Sequence, residues 1–314
     1  MAACTWMSRH RHSRRSGAHC GSAGRLACVL LGGVGTLALV SRTPVRLVIL
    51  TGDGLEHRFV ANALSRAFPG ELQAIVVVQP ARRPLLQQIR ILFRRYTGRQ
   101  LVSRLCARAY ARLPGRLRRR RGTYARYLSP RGPLAWERND LVRHVPSPNG
   151  EACLQALRQL KPDVIAVYGT AVIKPPVIRL AGQAILNMHT GLSPQYRGAD
   201  TVFWALHNEE PEWVGVTVHA LDEGIDSGPI MRTGRPEITP DDDEDSLFCK
   251  CVILGAQLYA EAIREVATAP RQYPSQDHRQ GREYRFVDRT VTAERRVRAL
   301  LRRGLLQRFV ESRR

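Results

Sequence analysis

The sequence contains little lysine, and its cysteines lack a pairing pattern. Three lysines occur among 314 residues, at Lys161, Lys174 and Lys250, so arginine carries nearly all of the positive charge. The seven cysteines are odd in number and include no Cys-x-x-Cys pair. Cys249 and Cys251 fall on a predicted helix, where side chains two positions apart diverge by about 200°. These patterns argue against a disulfide framework and a zinc site, and they predict no metal and a reducing, cytoplasmic location.

Acidic residues are also scarce, and residues 81–136 contain none. The chain carries 49 Lys and Arg against 27 Asp and Glu. Residues 81–136 hold sixteen arginines with Leu and Ile at helical spacing, which predicts two inserted basic amphipathic helices ending in a flexible run, residues 118–122. One interpretation is a weak contact surface for a polyanion or a membrane. We slightly favour the other, a solvated surface made arginine-rich by GC-rich codon usage, because no nucleic-acid motif or aromatic stacking platform accompanies it.

The first 44 residues contain an apolar stretch that is too short to cross a bilayer. A basic stretch from Arg9 to Arg15 precedes the apolar residues 26–40, which include three glycines. A membrane-spanning helix needs about 20 apolar residues. We expect residues 1–44 to be a disordered leader or the product of a start codon placed too early, although they superficially match a signal peptide.

From Val45 onward the chain alternates between apolar strands and helices. Residues 45–50, 72–78 and 164–168 are apolar runs typical of buried parallel strands. Helices are predicted over residues 58–68, 153–160, 200–206 and 247–267, the last one capped by Ser246. The predicted fold class is α/β, with a mostly parallel central sheet flanked by helices. The predicted organisation is a leader (1–44), a catalytic domain (45–268) with the arginine-rich insertion (81–136), and a loosely packed basic tail (269–314).

Polar residues suited to acyl transfer follow one of the apolar runs. Asn187 and His189 stand two residues apart, so in extended backbone their side chains point to the same side. An amide and an imidazole can stabilise the oxyanion that forms when an amine attacks a carbonyl carbon. Asp226 can orient the imidazole, or a water that removes the proton of the amine. We therefore predict that Asn187, His189 and Asp226 are catalytic.

Four spaced motifs together resemble a known family. They are Asn-x-His at 187–189, Leu-x-Pro-x-Tyr-Arg-Gly at 192–198, Gly-Val-Thr-Val-His at 215–219 and Asp-x-Gly-x-Asp-x-Gly-x-Ile at 222–230. In this order, within residues 45–267, the chain resembles the folate-dependent formyltransferases. Members of that family carry a formyl group from 10-formyltetrahydrofolate to an amine, and they include phosphoribosylglycinamide, methionyl-tRNA and amino-sugar formyltransferases.

The resemblance implies a Rossmann-like formyltransferase fold, 10-formyltetrahydrofolate as co-substrate and no metal. The catalytic Asn, His and Asp of the family fall on Asn187, His189 and Asp226. The residues that the resemblance and the Asp-rich loop suggest for the folate are Thr170, Leu221, Asp222, Gly224 and Ile225. Those suggested for the acceptor are Gly52, Asp53, Gly54, Arg197 and Gly198.

Two departures from the family pattern bear on the acceptor. Thr-Gly-Leu-Ser-Pro at 190–194 replaces the commoner x-Ser-Leu-Leu-Pro. After the first strand, Asp53 and Glu56 stand where the purine branch has a phosphate-binding Gly-Asn-Gly-Ser-Asn loop, and these carboxylates would oppose a phosphate. By elimination, a nucleotide-linked amino sugar is the acceptor we favour, with phosphoribosylglycinamide and methionyl-tRNA as alternatives.

Two other functions stay open at this point. With water in place of the amine, the same three residues would make a formyltetrahydrofolate hydrolase, although residues 1–44 are too short for the ligand-sensing domain that such hydrolases usually carry. The chain could instead be a basic polyanion- or membrane-binding protein with a vestigial site, which the intact triad argues against. We interpret His57 and His219 as structural, and the acidic residues 241–245 as a loop before a helix N-terminus.

Overall fold

The computed structural model describes residues 45–80, 84, 90, 97–130, 132, 134–268 and 273–313. The predicted leader and most of the first predicted helix of the insertion lie outside these residues. The described strands are β1 (Leu47–Thr51), β2 (Leu72–Val78), β3 (Val142–Val145), β4 (Val164–Tyr168), β5 (Ala184–His189), β6 (Tyr196–Gly198), β7 (Val216–Ala220), β8 (Ile230–Gly234) and β9 (Arg282–Tyr284).

Seven of these strands form the central sheet, in the order β3-β2-β1-β4-β5-β7-β8. The first five are parallel, and β7 and β8 extend the sheet with antiparallel pairings. Strands β1 and β4 are buried along their whole length, as strands covered on both faces must be. The prediction of an α/β fold with a mostly parallel sheet is confirmed, and the strands predicted over residues 72–78 and 164–168 have the predicted limits.

Helices cover the sheet. They are α1 (Leu55–Ala67), α2 (Gly98–Ala111), α3 (Pro114–Leu128), α4 (Glu151–Leu160), α5 (Pro175–Ile178), α6 (Thr201–His207), α7 (Glu244–Thr268), α8 (Val291–Arg302) and α9 (Leu305–Glu311). Among the described residues, only α7 is long and apolar enough to cross a membrane, and 61% of its most apolar window is buried inside the protein, as in the core helix of a globular domain. The Tyr259 hydroxyl on α7 lies 2.9 Å from the carbonyl oxygen of Val167 and 2.7 Å from that of Leu186, which ties α7 to two neighbouring strands.

The N-terminal cap of α7 differs from the prediction. Ser246 lies within the first turn, and Asp243 is the capping residue. The Asp243 carboxylate accepts a hydrogen bond from the Ser246 amide at 2.9 Å, and the Ser246 hydroxyl accepts one from the Asp243 amide at 2.9 Å. This reciprocal pair is a capping box that begins three residues earlier than we predicted.

The arginine-rich segment is more ordered than predicted. Residues 118–122, expected to be a flexible run, lie inside α3. Tyr124 and Leu128 of this helix are buried in the main core, and the Tyr124 ring stacks on Phe248 of α7 at 5.5 Å. The helix is stable despite its charge because its apolar side is shared with α1 and α7.

The C-terminal segment is packed into the molecule, contrary to the predicted loose tail. Strand β9 pairs with β6 in a second, two-stranded sheet. Helices α8 and α9 bury Val297, Leu300 and Leu306 against α6 in a separate hydrophobic cluster. Residues 43–314 cluster as one compact unit, without a break at residue 268, although the limits of the predicted catalytic domain remain a prediction.

Candidate active site

The carboxyl half of β5 presents the Asn-x-His motif. Asn187 and His189 alternate with the buried Met188, so they share one face of the strand, as predicted. On the antiparallel neighbour β7, His219 stands opposite Asn187, and Thr217 stands opposite His189. The register of these two strands therefore brings a second histidine beside the motif.

Asp226 lies on the loop between β7 and β8 and folds back onto this face. Its Oδ2 is 3.3 Å from His189 Nδ1, and its Oδ1 accepts a hydrogen bond from Asn187 Nδ2 at 3.2 Å. Oδ2 also accepts the backbone N–H of Gly198 at 3.0 Å. The structure thus brings together the three residues predicted to be catalytic.

His219 is a fourth member of the group, which the sequence interpretation missed. Its Nε2 is 3.3 Å from Asp226 Oδ1 and 3.2 Å from Asn187 Nδ2, and the residue is fully buried. The signal that could have found it is the alternation of β7, which places His219 on the same face as Thr217. Our interpretation of His219 as structural is therefore too narrow.

Both histidines hold one nitrogen against a backbone carbonyl and the other against the carboxylate. His189 Nε2 is 3.0 Å from the carbonyl oxygen of Tyr196, and His219 Nδ1 is 2.8 Å from that of Ala220. A carbonyl oxygen only accepts, so these nitrogens carry hydrogen atoms. Each nitrogen that faces Asp226 can donate a hydrogen bond to the carboxylate when its ring is an imidazolium ion.

The surroundings of Asp226 favour its charged form. Burial by itself raises the pKa of this carboxyl group, but the positive charge of His189, the contacts with His219 and the Gly198 N–H outweigh burial and hold its pKa well below the usual range. Among these residues, His189 and His219 are buried, whereas Asn187 and Asp226 are partly exposed. Asn187 and Asp226 are therefore the groups that a ligand can reach.

The residues predicted to bind folate fall on two neighbouring parts of the sheet. Leu221 follows β7, where its amide donates to the carbonyl of Ile185 at 2.9 Å, whereas Thr170 follows β4 on the other side of β5. In the loop between β7 and β8, Asp222 Oδ1 accepts hydrogen bonds from the Gly224 amide at 3.0 Å and the Ser227 hydroxyl at 2.6 Å. Ile225 is 39% exposed, which leaves an apolar side chain on the loop for a ligand.

The predicted acceptor loop after β1 is engaged with the protein itself. Asp53 forms an ion pair with Arg58 at 2.8 Å and accepts a hydrogen bond from Gln79 at 2.9 Å. His57 Nδ1 accepts the Gly54 N–H at 3.1 Å, and its ring fills the space where side chains on Gly52 and Gly169 would lie. His57 is thus structural, as interpreted, and the Asp53 carboxylate already has partners in the chain.

The other two predicted acceptor residues lie on β6. Gly198 has a φ of +89°, and a side chain there would meet the Tyr284 carbonyl oxygen at 2.2 Å, so only glycine fits this position. Arg197 is buried, with 9% of its surface exposed. Gly198 therefore acts on the site through its amide and the close approach of β9.

Comparisons with known proteins agree with the motifs. Residues 138–263 match the family model described as formyl transferase. A methionyl-tRNA formyltransferase from Kosmotoga olearia is 39% identical over 128 residues, which cover 40% of this chain and 40% of that protein. One from Trichlorobacter lovleyi is 33% identical over 140 residues, 44% of both chains. Among solved structures, a 4-N formyltransferase from Francisella tularensis has 13% identity and a TM-score of 0.48, over 77% of each chain.

Over residues 138–263 the chain matches the formyl transferase family model, and the resemblance drawn from its motifs is confirmed. The chain spans less than half the length of the two relatives described. Asn187, His189, His219 and Asp226 all lie inside the matched segment.

Proposed function

We propose that this protein transfers a formyl group from 10-formyltetrahydrofolate to a primary amine. The observation that carries the proposal is the convergence of Asn187, His189 and Asp226 on one partly exposed face, with the carboxylate held in its charged form. The match of residues 138–263 to the formyl transferase family model supports the same reaction.

The reaction requires a group that accepts a proton from the amine and a hydrogen-bond donor that stabilises the oxyanion. The amine nitrogen attacks the formyl carbon, its bond to that carbon forms, and the carbonyl oxygen becomes an oxyanion. The amine then loses a proton, the bond between the formyl carbon and N10 of the folate breaks, and N10 takes up a proton. An ionised carboxylate that reaches solvent can accept the first proton through a water molecule.

The geometry divides these tasks among the residues. Asp226 is the proton acceptor. When His219 donates its Nε2 proton to Asp226, one hydrogen of the Asn187 amide remains for the oxyanion, where a fixed donor is worth most. His189 has both nitrogens engaged, by Asp226 and by the Tyr196 carbonyl, so it keeps the carboxylate charged and oriented. This changes our prediction that His189 binds the oxyanion directly.

Folate is proposed to bind beside the loop that ends at Asp226. The supporting observations are the internally hydrogen-bonded turn at Asp222 and the exposed apolar side chain of Ile225. We retain Thr170, Leu221 and Gly224 as proposed contacts. For the acceptor we retain Arg197, Gly198, Gly52 and Gly54, and we regard Asp53 as the weakest candidate because Arg58 and Gln79 already occupy it.

The acceptor that the relatives favour is methionyl-tRNA. The two described relatives carry that name, and the arginine-rich helices α2 and α3 give the chain a basic surface suited to a polyanion. A nucleotide-linked amino sugar, which we favoured from the sequence, is the second candidate. Phosphoribosylglycinamide ranks below both because Asp53 stands in the loop that would meet its phosphate.

A panel of acceptors tests the proposal. Release of tetrahydrofolate from 10-formyltetrahydrofolate is measured with methionyl-tRNA, with nucleotide-linked amino sugars, with phosphoribosylglycinamide and with no acceptor. We expect release that requires one acceptor and equals the formylated product. Release without any acceptor would make the protein a hydrolase. Binding to polyanions or vesicles with no release under any condition would favour a vestigial site.

A further inference from the structure

The segment after α7 contacts two parts of the chain that position Asp226, namely the residues flanking β6 and the loop between β7 and β8. We call residues 276–284 the C-terminal strap. At one end, the amide of Arg282 donates to the carbonyl of Gln195 at 2.9 Å, and the amide of Ala199 donates to the carbonyl of Tyr284 at 2.8 Å. At the other end, the side chain of Gln276 reaches the loop between β7 and β8.

The side-chain amide of Gln276 forms hydrogen bonds with the backbone around Asp226. Its Nε2 donates to the carbonyl oxygen of Asp226 at 3.1 Å and also to that of Gly228. A primary amide has two hydrogens, so both donors are used on carbonyls two residues apart. The Oε1 atom of the same side chain is buried without a hydrogen-bond partner among the described residues. This orientation leaves an acceptor unsatisfied, so the two donated bonds must outweigh that loss.

Asp226 needs such support because its backbone is in an unfavourable conformation. Its φ is +48°, in the left-handed region, which non-glycine residues rarely occupy. Conformations of this kind persist where surrounding contacts hold them. In this backbone geometry the side chain of Asp226 points to His189 and Gly198.

We infer that Gln276 is a positioning residue that holds the backbone of Asp226 and thereby aims its carboxylate. The inference rests on the function proposed above for Asp226, since the hydrogen bonds of the Gln276 side chain within the described residues go to backbone carbonyls. Strand β9 anchors the rest of the strap independently of Gln276. Loss of the Gln276 amide should therefore disturb Asp226 and leave the pairing of β6 with β9 in place.

Hydrogen exchange at two neighbouring backbone amides distinguishes a positioning role of Gln276 from a general structural role. The Gly198 amide donates to Asp226 Oδ2, whereas the Ala199 amide donates to Tyr284 across the β6–β9 pairing. In Gln276→Ala we expect hydrogen exchange at Gly198 to accelerate roughly tenfold or more, with exchange at Ala199 unchanged. The matched control is Gln280→Ala, an exposed strap residue whose side-chain amide donates a hydrogen bond to Asp277. Unchanged exchange at both amides, or acceleration at both, would overturn the inference.

Turnover adds a second measurement. With an acceptor from the panel, Gln276→Ala should lower kcat by roughly 10- to 100-fold, with the dissociation constant for 5-formyltetrahydrofolate changed only severalfold. In an Asp226→Asn background, Gln276→Ala should lower single-turnover rates no further, because Gln276 is proposed to act only by orienting the Asp226 carboxylate, which this background already lacks. Additive losses would contradict the inference. If the native protein transfers no formyl group, the proposed function fails, and the exchange experiment still decides the role of Gln276.

Discussion

At the scale of single residues, Asp226 collects the polar contacts of the site. Two imidazoles, one side-chain amide and one backbone amide face its two oxygens. These donors offset the cost of keeping a charge in a buried position. The ionised carboxylate is thus a property of the assembled site, because its donors come from three strands, β5, β6 and β7.

Replacing Asp226 by Asn should abolish most of the turnover. The substitution keeps size and removes the charge, so the amine proton has no acceptor. We expect kcat to fall by roughly 10² to 10⁴, as is usual for a general base, while the folate dissociation constant changes only severalfold. The control is Asp140→Asn, an exposed carboxylate paired with Arg138. Near-normal turnover of Asp226→Asn would refute the mechanism.

His57 should make the stability of the protein depend on pH. Burial lowers the pKa of His57, despite the opposing influence of Glu56 and Asp53. The unfolded chain, with an ordinary histidine pKa of about 6.5, therefore binds more protons below that pH than the folded protein does. The stability that neutral His57 contributes is present above pH 6.5 and is lost as the pH falls towards its folded pKa.

The measurement is the melting temperature of the native protein and of His57→Gln between pH 7.5 and pH 5. Glutamine can accept the Gly54 hydrogen bond but does not titrate in this range. The native protein should lose more stability over the interval than the variant. Parallel curves would mean that His57 titrates alike in the folded and unfolded states.

At the scale of elements, helices α2 and α3 combine buried and charged sides. Thr123, Tyr124 and Leu128 face the core, whereas Val102 and Leu105 are 61% and 52% exposed. Arg116 and Arg120 form ion pairs with Glu294 and Asp245. The remaining exposed arginines of α3 are available for a polyanion, which keeps the contact surface predicted from the sequence as a proposal.

Three exposed arginines of α3 should set the salt dependence of nucleic-acid binding. If Arg118, Arg119 and Arg121 each neutralise one phosphate, changing all three to Gln should reduce the slope of log K against log salt by roughly 2 to 3. The control removes the same charge from Arg295, Arg302 and Arg303, exposed residues in or directly after α8. If the slope of log K against log salt were equal for the two triple variants, nucleic-acid binding would depend on the net charge of the protein and not on a surface of α3.

At the scale of the whole molecule, Arg289 joins the C-terminal segment to the sheet domain. Its guanidinium contacts Glu244 at 2.8 Å, Glu294 at 2.7 Å and Asp200 at 3.3 Å, and it stacks on the Phe203 ring. Burial alone would raise the pKa of Glu294, but Arg289 and Arg116 lower it. The network therefore links three helices around one cation.

Removing Arg289 should destabilise the protein strongly. Arg289→Ala leaves Glu244 and Glu294 with less positive charge, and breaking a buried ion pair costs about 3 kcal/mol. Arg296→Ala, in the helix α8 that follows Arg289, is the control, since the ion pair of Arg296 with Glu209 is about half exposed and should contribute less than 1 kcal/mol. The free energies come from urea unfolding. Similar decreases in the free energy of unfolding for both variants would show that the Arg289 network contributes no more than an exposed ion pair.

The sequence by itself determined the local features of this protein. Buried strands were predictable because the apolar runs that form β1, β2 and β4 are set by neighbouring residues. The side-by-side placement of Asn187 and His189 was predictable for the same reason, since alternation along a strand is a property of the backbone. The family motifs pointed to Asp226 through their order, although it lies 37 residues beyond His189 in the chain.

Only the tertiary structure decided which distant groups complete the site. His219 joins it through the register of β5 with β7, and Gln276 reaches it through the path of the strap. The Asp53 carboxylate is bound by Arg58 of α1 and by Gln79 directly after β2. Such contacts depend on how loops close and on the packing of whole elements, which single-residue preferences do not encode. The packing of the C-terminal tail was not predictable for the same reason, because its apolar residues are buried by contact with α6.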